Sequence, residues 1–175
     1  MKKSVFIALL LLFAINSTAN AQKFALIDME YILQHIPAYE KANKQLDQIS
    51  QKYQSEVEAL TQQAQSLYKE YQSKAASLSE KQRTQKEEEI VTKEKAVAEL
   101  RRKYFSPEGE LFKKRENIMK PIQDDIYKAV KDISELEDYS IVIDRASAAG
   151  IIFASPRIDI SNEVLAQLGY YADSF

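Results

Sequence analysis

The chain has 175 residues, 45% of them hydrophobic and 29% charged, with no Cys, no Trp, three Gly and four Pro. Without Cys there are no disulfides, thiolate metal sites, Cys nucleophiles or lipidated Cys anchors, and so few glycines leave little material for phosphate-cradling loops. A formal charge of −2 at pH 7 disfavours a globally basic nucleic-acid binder, so no nucleic-acid partner is expected.

Lys2 and Lys3, the apolar run Val5 to Ile15 and the ending Ala19-Asn20-Ala21 predict a cleaved secretory signal peptide over residues 1–21. The mature chain would start at Gln22 and carry 22 basic and 26 acidic residues. No later apolar stretch approaches the about 20 residues that span a bilayer, so the mature protein is expected to be soluble after export.

Lys23 to Asp28 reads as a short strand by length and β-branched content. From 38 to 78 apolar residues recur at Tyr39, Ala42, Leu46, Ile49, Tyr53, Val57, Leu60, Ala64, Leu67, Tyr71, Ala75 and Leu78, a mean step of about 3.55 residues. That spacing predicts one nearly straight helix of roughly 60 Å with a single seam, and such a helix needs a second helix along it. Ser79-Glu80-Lys81-Gln82 fits a capping box, so the chain should reverse near 77–79 and return antiparallel. The returning stripe runs through Ile90, Val97, Tyr104, Leu111 and Ile118, then Ile122, Ile126, Ala129 or Val130, Ile133 and Leu136. Ser106-Pro107-Glu108-Gly109 and Pro121 predict bends in that helix.

Tyr139 to Asp144 and Gly150 to Ser155 read as two further strands. Ser161 is a candidate N-cap for a last helix through Leu168, stapled by Ile160 and Leu165 and ended by Gly169. The fold class is α+β: a small β-sheet body from both chain ends with a long antiparallel α-helical coiled-coil hairpin arm. The expected division is a body of 22–37 and 121–175 and an arm of 38–120. Three short strands bury little surface alone, which predicts oligomerisation through Phe24, Leu26, Ile141, Ile143, Ile151, Phe153, Val164 and Leu168.

The leader, the strand Phe24-Ala25-Leu26-Ile27-Asp28, the hairpin, Ile141-Val142-Ile143-Asp144 and Asp159-Ile160-Ser161 followed by Glu163-Val164-Leu165 together resemble the Skp/OmpH family of periplasmic chaperones. The resemblance covers essentially the whole mature chain. It implies a periplasmic homotrimer with a β-barrel-like body and three helical arms around a cavity, holding unfolded outer-membrane proteins without ATP or any other cofactor.

The return helix carries a second apolar line, Val91, Ala98, Phe105, Phe112 and Met119, wider than a two-helix seam requires. With Tyr68 these residues are candidate client contacts, since aromatics and Met supply large, adaptable area; the competing reading packs them inside the protein or against a neighbouring subunit. Lys113, Lys114 and Arg115, like Arg101-Arg102-Lys103, could attract acidic client segments or a membrane surface. For them and for Arg101-Arg102-Lys103 a solvated helix face is the commoner explanation, with i,i+4 pairs Glu110–Lys114 and Glu99–Lys103. Glu87-Glu88-Glu89 reads as solvation, with Lys93 four residues from Glu89.

Residues 38–120 hold 17 Lys+Arg against 14 Asp+Glu, and 121–175 hold four against ten. So small a positive surplus, screened over about 8 Å, gives weak grounds for membrane-surface contact. Lone His35 predicts no metal site. Asp28 and Asp144 resemble a carboxylate pair, but no nucleophile or base accompanies them, so turn hydrogen bonding is the expected role and an enzyme is not. Terminal Phe175 invites comparison with outer-membrane barrels, whose alternating strands of about 10 residues are missing. The leading expectation is a holdase for unfolded outer-membrane proteins; the alternative is a structural coiled-coil adaptor for one folded envelope partner.

Overall fold

The computed structural model describes residues 22–148 and 150–170; the leader and Phe175 lie outside the described residues. The elements are β1 (Lys23–Ile27), α1 (Met29–Gln34), α2 (Pro37–Lys74), a 3-10 turn (Ala75–Ser77), α3 (Glu80–Phe105), α4 (Glu110–Glu137), β2 (Tyr139–Asp144), a second 3-10 turn (Pro156–Ile158) and α5 (Ser161–Gln167). The described residues form two compact units, Tyr31–Lys128 and residues 22–30 with 129–170. The class is the expected α+β, with a small sheet drawn from both chain ends and a long helical hairpin.

In the helical unit Pro37 opens α2, where its missing N–H has no partner to lose. All twelve seam residues between Tyr39 and Leu78 are buried or half-buried. The Ser79 capping box forms: Gln82 N–H donates to Ser79 Oγ, and Ser79 N–H donates to Gln82 Oε1 at 3.0 Å. These bonds occupy two otherwise orphaned donors of α3. On α3 and α4 the main stripe is likewise buried or half-buried through Ile133, but Leu136 is 82% exposed and does not continue it. The return helix breaks at Ser106–Gly109, as Pro107 predicts, whereas Pro121 is accommodated inside α4, which stays helical to Glu137.

In the end-built unit β1 and β2 pair in parallel, with Phe24 beside Ile141, Ala25 beside Val142 and Leu26 beside Ile143. Parallel neighbours need a crossover connection, which here is everything from α1 to α4. The expected third strand at 150–155 is not formed among the described residues. The second edge of β1 is taken elsewhere: Leu26 bridges Asp159, and Ile160 N–H donates to Leu26 O at 2.9 Å. Ala25, Leu26, Ile27, Ile160, Val164 and Leu165 form the buried core of this unit.

Ser161 is the first residue of α5, not its cap. Its backbone N–H and hydroxyl both donate to Asp159 Oδ1, at 3.0 and 2.6 Å, and its Oγ accepts the Asp28 N–H at 2.8 Å. The helix therefore starts after Ile160 without a side-chain cap, and the serine is spent on holding the end of β1. Gly169 ends α5 at φ +83°, with Gly169 N–H to Ala166 O at 3.0 Å and Tyr170 N–H to Leu165 O at 2.8 Å. This bond pair is a Schellman motif, and the left-handed residue it needs is a glycine.

Candidate functional site

The register of the hairpin is held near its open end by an aromatic cluster. Tyr53 of α2 and Tyr104 of α3 stack, and Phe105 stands edge-on to both rings at 6.5 and 6.3 Å. Both tyrosines are buried, with Val57 completing the core and Ile49, Val97, Leu100 and Leu111 packed against it. Their hydroxyls reach carboxylates: Tyr53 donates to Glu110 Oε2 at 3.1 Å and Tyr104 donates to Glu56. The Glu56 carboxylate, burial and neighbouring negative charge push the Tyr104 phenol up to about 12. Burial, then the bond to Glu110, raises Tyr53 as well.

Lys103 Nζ lies 3.4 Å from Glu110 Oε1, so an ion pair spans the break between α3 and α4. This replaces the expected Glu99–Lys103 pairing, because the break at 106–109 leaves Glu110 within reach of Lys103. Glu89 is likewise engaged by Lys86 at 2.8 Å. Farther along, the Tyr71 hydroxyl donates to Glu87, joining α2 and α3 near the reversal.

Beyond this cluster the two sides of the hairpin differ in chemistry. On one side a cleft of about 590 Å³ is lined by Gln54, Val57, Glu58, Thr61, Arg101 and Phe105. A second of about 420 Å³ is lined by Thr61, Ala64, Gln65, Tyr68, Lys69, Gln72, Glu94 and Val97. The two share Thr61, and their α2 residues recur every three or four positions, the spacing of one helix face. They form one groove with an aromatic at each end: Phe105, 39% exposed, and Tyr68, 47% exposed. The opposite side of the hairpin has clefts of about 640 and 480 Å³ lined by Glu70, Glu88, Glu89 and Lys93 among Gln, Ser, Thr, Ala and Leu67, with no aromatic residue.

The second apolar line of the return helix is largely open. Val91 is 47% and Phe112 45% exposed, Ala98 is exposed and Met119 half-buried. Lys113, Lys114 and Arg115 are exposed. Tyr68 and Phe105 thus line the groove, Val91 lies two heptads from Phe105 on the same face of α3, and Phe112 to Met119 continue on α4. Pattern reading missed the groove walls Gln54, Glu58, Thr61 and Gln65, which flank the seam and carry only the 3–4 spacing as a signal, and it met Arg101 only as part of a basic run.

The residues expected at an oligomer interface separate by position. Phe24 is 46%, Ile141 49% and Phe153 86% exposed; Ile143 is also exposed, and Ile151 and Leu168 are half-buried. Leu26 and Val164 correct the expectation: both are closed off in the protomer's own core and have no area to offer a second chain. Ile152, fully exposed beside Phe153, was missed. Among the described residues the outer edge of β2 has no strand partner.

Asp144 is occupied by turn hydrogen bonds, whereas the Asp28 carboxylate is paired with Arg145. Asp144 Oδ1 accepts the N–H groups of Met29 and Ala146, each at 3.1 Å. Burial raises the Asp144 carboxyl, but these donors together with Ser147 outweigh it and hold the group below its ordinary value. Arg145, which no periodicity marks, bridges Asp28 Oδ2 at 3.1 Å and Asp159 Oδ2 at 3.4 Å. It joins the end of β1 to the segment before α5. His35 Nδ1 lies 2.8 Å from Tyr31 O, and no metal-binding cluster exists among the described residues.

The model of the outer membrane protein (OmpH-like) family matches residues 23–168. The chain belongs to this family. The OmpH-like chain is 26% identical over 157 residues to the chaperone protein Skp of Yersinia enterocolitica, covering 89% of this chain and 91% of that one. It is 27% identical over 159 residues to the chaperone protein Skp of Photorhabdus laumondii subsp. laumondii, covering 90% and 92%. A solved structure of an OmpH-like protein from Caulobacter crescentus CB15 superimposes with a TM-score of 0.64 at 14% identity, covering 88% of this chain and 89% of that one. The likeness to that structure is one of fold. The OmpH-like relatives are named as chaperones, a binding activity, and the chain is not an enzyme.

Proposed function

We propose that the chain is an ATP-independent periplasmic holdase that binds unfolded outer-membrane β-barrel proteins and prevents their aggregation before membrane insertion. The observation that carries this reading is the apolar surface left over after the hairpin seam has closed: Tyr68, Val91, Phe105 and Phe112 are all more than a third exposed. Single exposed apolar residues are ordinary, but a line of them beside a filled seam supplies area for an unfolded chain. Contacts of this kind are individually weak and tolerant of sequence, which suits capture and release. Lys113, Lys114 and Arg115 add attraction for acidic client segments.

In this proposal residues 38–120 make the client-holding arm, and 22–37 with 121–175 make the assembling body. Three copies associate through the outer edge of β2, the exposed Phe24, Ile141, Ile143 and Phe153, and the half-buried Ile151 and Leu168. Association multiplies the weak contacts of each arm. The Skp relatives and the family match support a chaperone role. No cofactor enters the mechanism, because the free energy of holding is that of contact alone.

The test is light scattering as a urea-unfolded outer-membrane barrel is diluted into buffer containing the mature protein and no nucleotide. Suppression at about three protomers per client supports the holdase and its stoichiometry. Undiminished aggregation of several unrelated barrels at large excess overturns the holdase and favours an adaptor for one folded partner.

A further inference from the structure

The groove between α2 and α3 has a definite length and charge. From Gln54 to Gln72 it follows α2 for about 27 Å, the reach of an extended peptide of about eight residues. Its charged walls cancel: Glu58 and Arg101 line the cleft at one end, Lys69 and Glu94 the cleft at the other. The floor is apolar, with Val57 and Ala64 buried and Val97 half-buried. A charged side chain laid there would lose water and meet no net opposite charge, whereas a neutral apolar one loses nothing. Side-chain amides line the α2 wall and offer both donors and acceptors, and an extended segment carries unpaired N–H and C=O groups to meet them. A helix arrives with those groups already bonded.

Resting on the holdase reading, we infer that this groove seats one extended, uncharged client segment of about eight residues per protomer, anchored between Phe105 and Tyr68. The segment class is the membrane-spanning strand of a β-barrel before it pairs, about 10 residues long and alternating in polarity. Shielding its backbone in the groove keeps it from pairing with another chain, the step by which unpaired strands aggregate. The acidic, aromatic-free opposite side of the hairpin takes no such segment.

The experiment measures fluorescence anisotropy of labelled eight-residue peptides against the mature protein. One alternates Leu and Thr, and two others carry a pair of Lys or a pair of Asp in place of Thr. The neutral peptide should bind at least tenfold more tightly than either charged one. Thr61→Glu, in the groove, should weaken the neutral peptide about tenfold, while Ser66→Glu, on the opposite side, should leave it within twofold; circular dichroism checks the helix content of both. Glu58→Lys leaves the walls with a surplus of two positive charges and should bring the Asp peptide to within threefold of the neutral one. Equal binding of the three peptides, equal effects of Thr61→Glu and Ser66→Glu, or no change of preference in Glu58→Lys overturns the groove. Light scattering with an unfolded barrel separates the two levels: wild-type protection without peptide discrimination overturns the groove alone, and absence of wild-type protection overturns the holdase beneath it.

Discussion

The rings of Tyr53 and Tyr104 lie parallel, with centroids 4.0 Å apart and planes inclined by 4°. They are contributed by opposite strands of the hairpin, 51 positions apart, and they meet where the return helix is about to break. Each hydroxyl is bound by a carboxylate from another turn, so the pair fixes register, the direction of Phe105 and the position of Glu110 together. Tyr53→Ala should cost about 3 kcal/mol through the cavity it opens. Tyr53→Phe, which keeps the ring and loses the bond to Glu110, should cost only about 1 kcal/mol. Urea unfolding followed by circular dichroism orders the two; equal losses would mean that the stack contributes nothing.

The same pair predicts behaviour at alkaline pH. The Tyr104 pKa is raised to about 12 in the folded protein by Glu56 first, then by burial, against about 10 in an unfolded chain. A raised folded value means the contribution to stability is complete below about pH 10 and disappears as pH climbs toward 12. Phenolate absorbance should therefore show tyrosines that ionise later than the rest, and Tyr104→Phe should remove one of them. A single ordinary titration for all tyrosines would contradict the arrangement.

Gly109 is the tightest point of the break. A Cβ there would lie 2.8 Å from Tyr104 O and 2.9 Å from Ser106 N, both backbone atoms that cannot swing aside. Gly109→Ala should destabilise by about 2 kcal/mol, since the turn must open to admit the methyl group. Gly150 meets nothing within 4 Å, so Gly150→Ala should leave the urea midpoint unchanged. Identical midpoints for the two variants would show that the turn yields freely.

Much of this arrangement can be read from residue order. The seam from Tyr39 to Leu78 is legible because each position reports one helix face, and the Ser79 and Gly169 ends are legible because capping chemistry is local. Residues 150–155 mislead for the opposite reason: β-branched content says only that a backbone tolerates extension, while strand formation depends on which partner reaches the edge first. Here Asp159 and Ile160 hold the second edge of β1. Ser161 misleads as a cap because its side chain is engaged elsewhere, donating to Asp159 and accepting the Asp28 N–H. Arg145 is invisible for want of any local rule, and the groove walls show only helix-face spacing, which does not say that a groove forms beside them. Their partners, Asp28 for the arginine and α3 for the α2 wall, lie far off in sequence.

Asp144 makes stability sensitive to acid. Its carboxylate is favoured in the folded state by the Met29, Ser147 and Ala146 donors, which overcome the burial that opposes it. A lowered folded value means that the stabilisation is present above the unfolded pKa of about 4 and fades as pH falls through the folded one. The urea midpoint of the wild type should drop below about pH 4, and Asp144→Asn should lie lower at neutral pH with a flatter acid limb. Parallel pH profiles would remove Asp144 from the account.

Phe24 and Ile141 sit side by side across the β1–β2 ladder, yet each is close to half exposed. A parallel pair is ordinarily covered on both faces, and here the face that Phe24, Leu26, Ile141 and Ile143 share is closed only at Leu26, the other three being more than a third exposed. If a second copy supplies the cover, Ile141→Lys should abolish the oligomer by placing a charge in the contact, yet leave the helix content of the protomer unchanged. Leu26→Lys should instead unfold the end-built unit, because its cost falls inside the protomer. Sedimentation and circular dichroism on the two variants test this directly. Intact oligomers in Ile141→Lys would move the interface off this face and onto the exposed Ile152–Phe153 segment or the outer edge of β2.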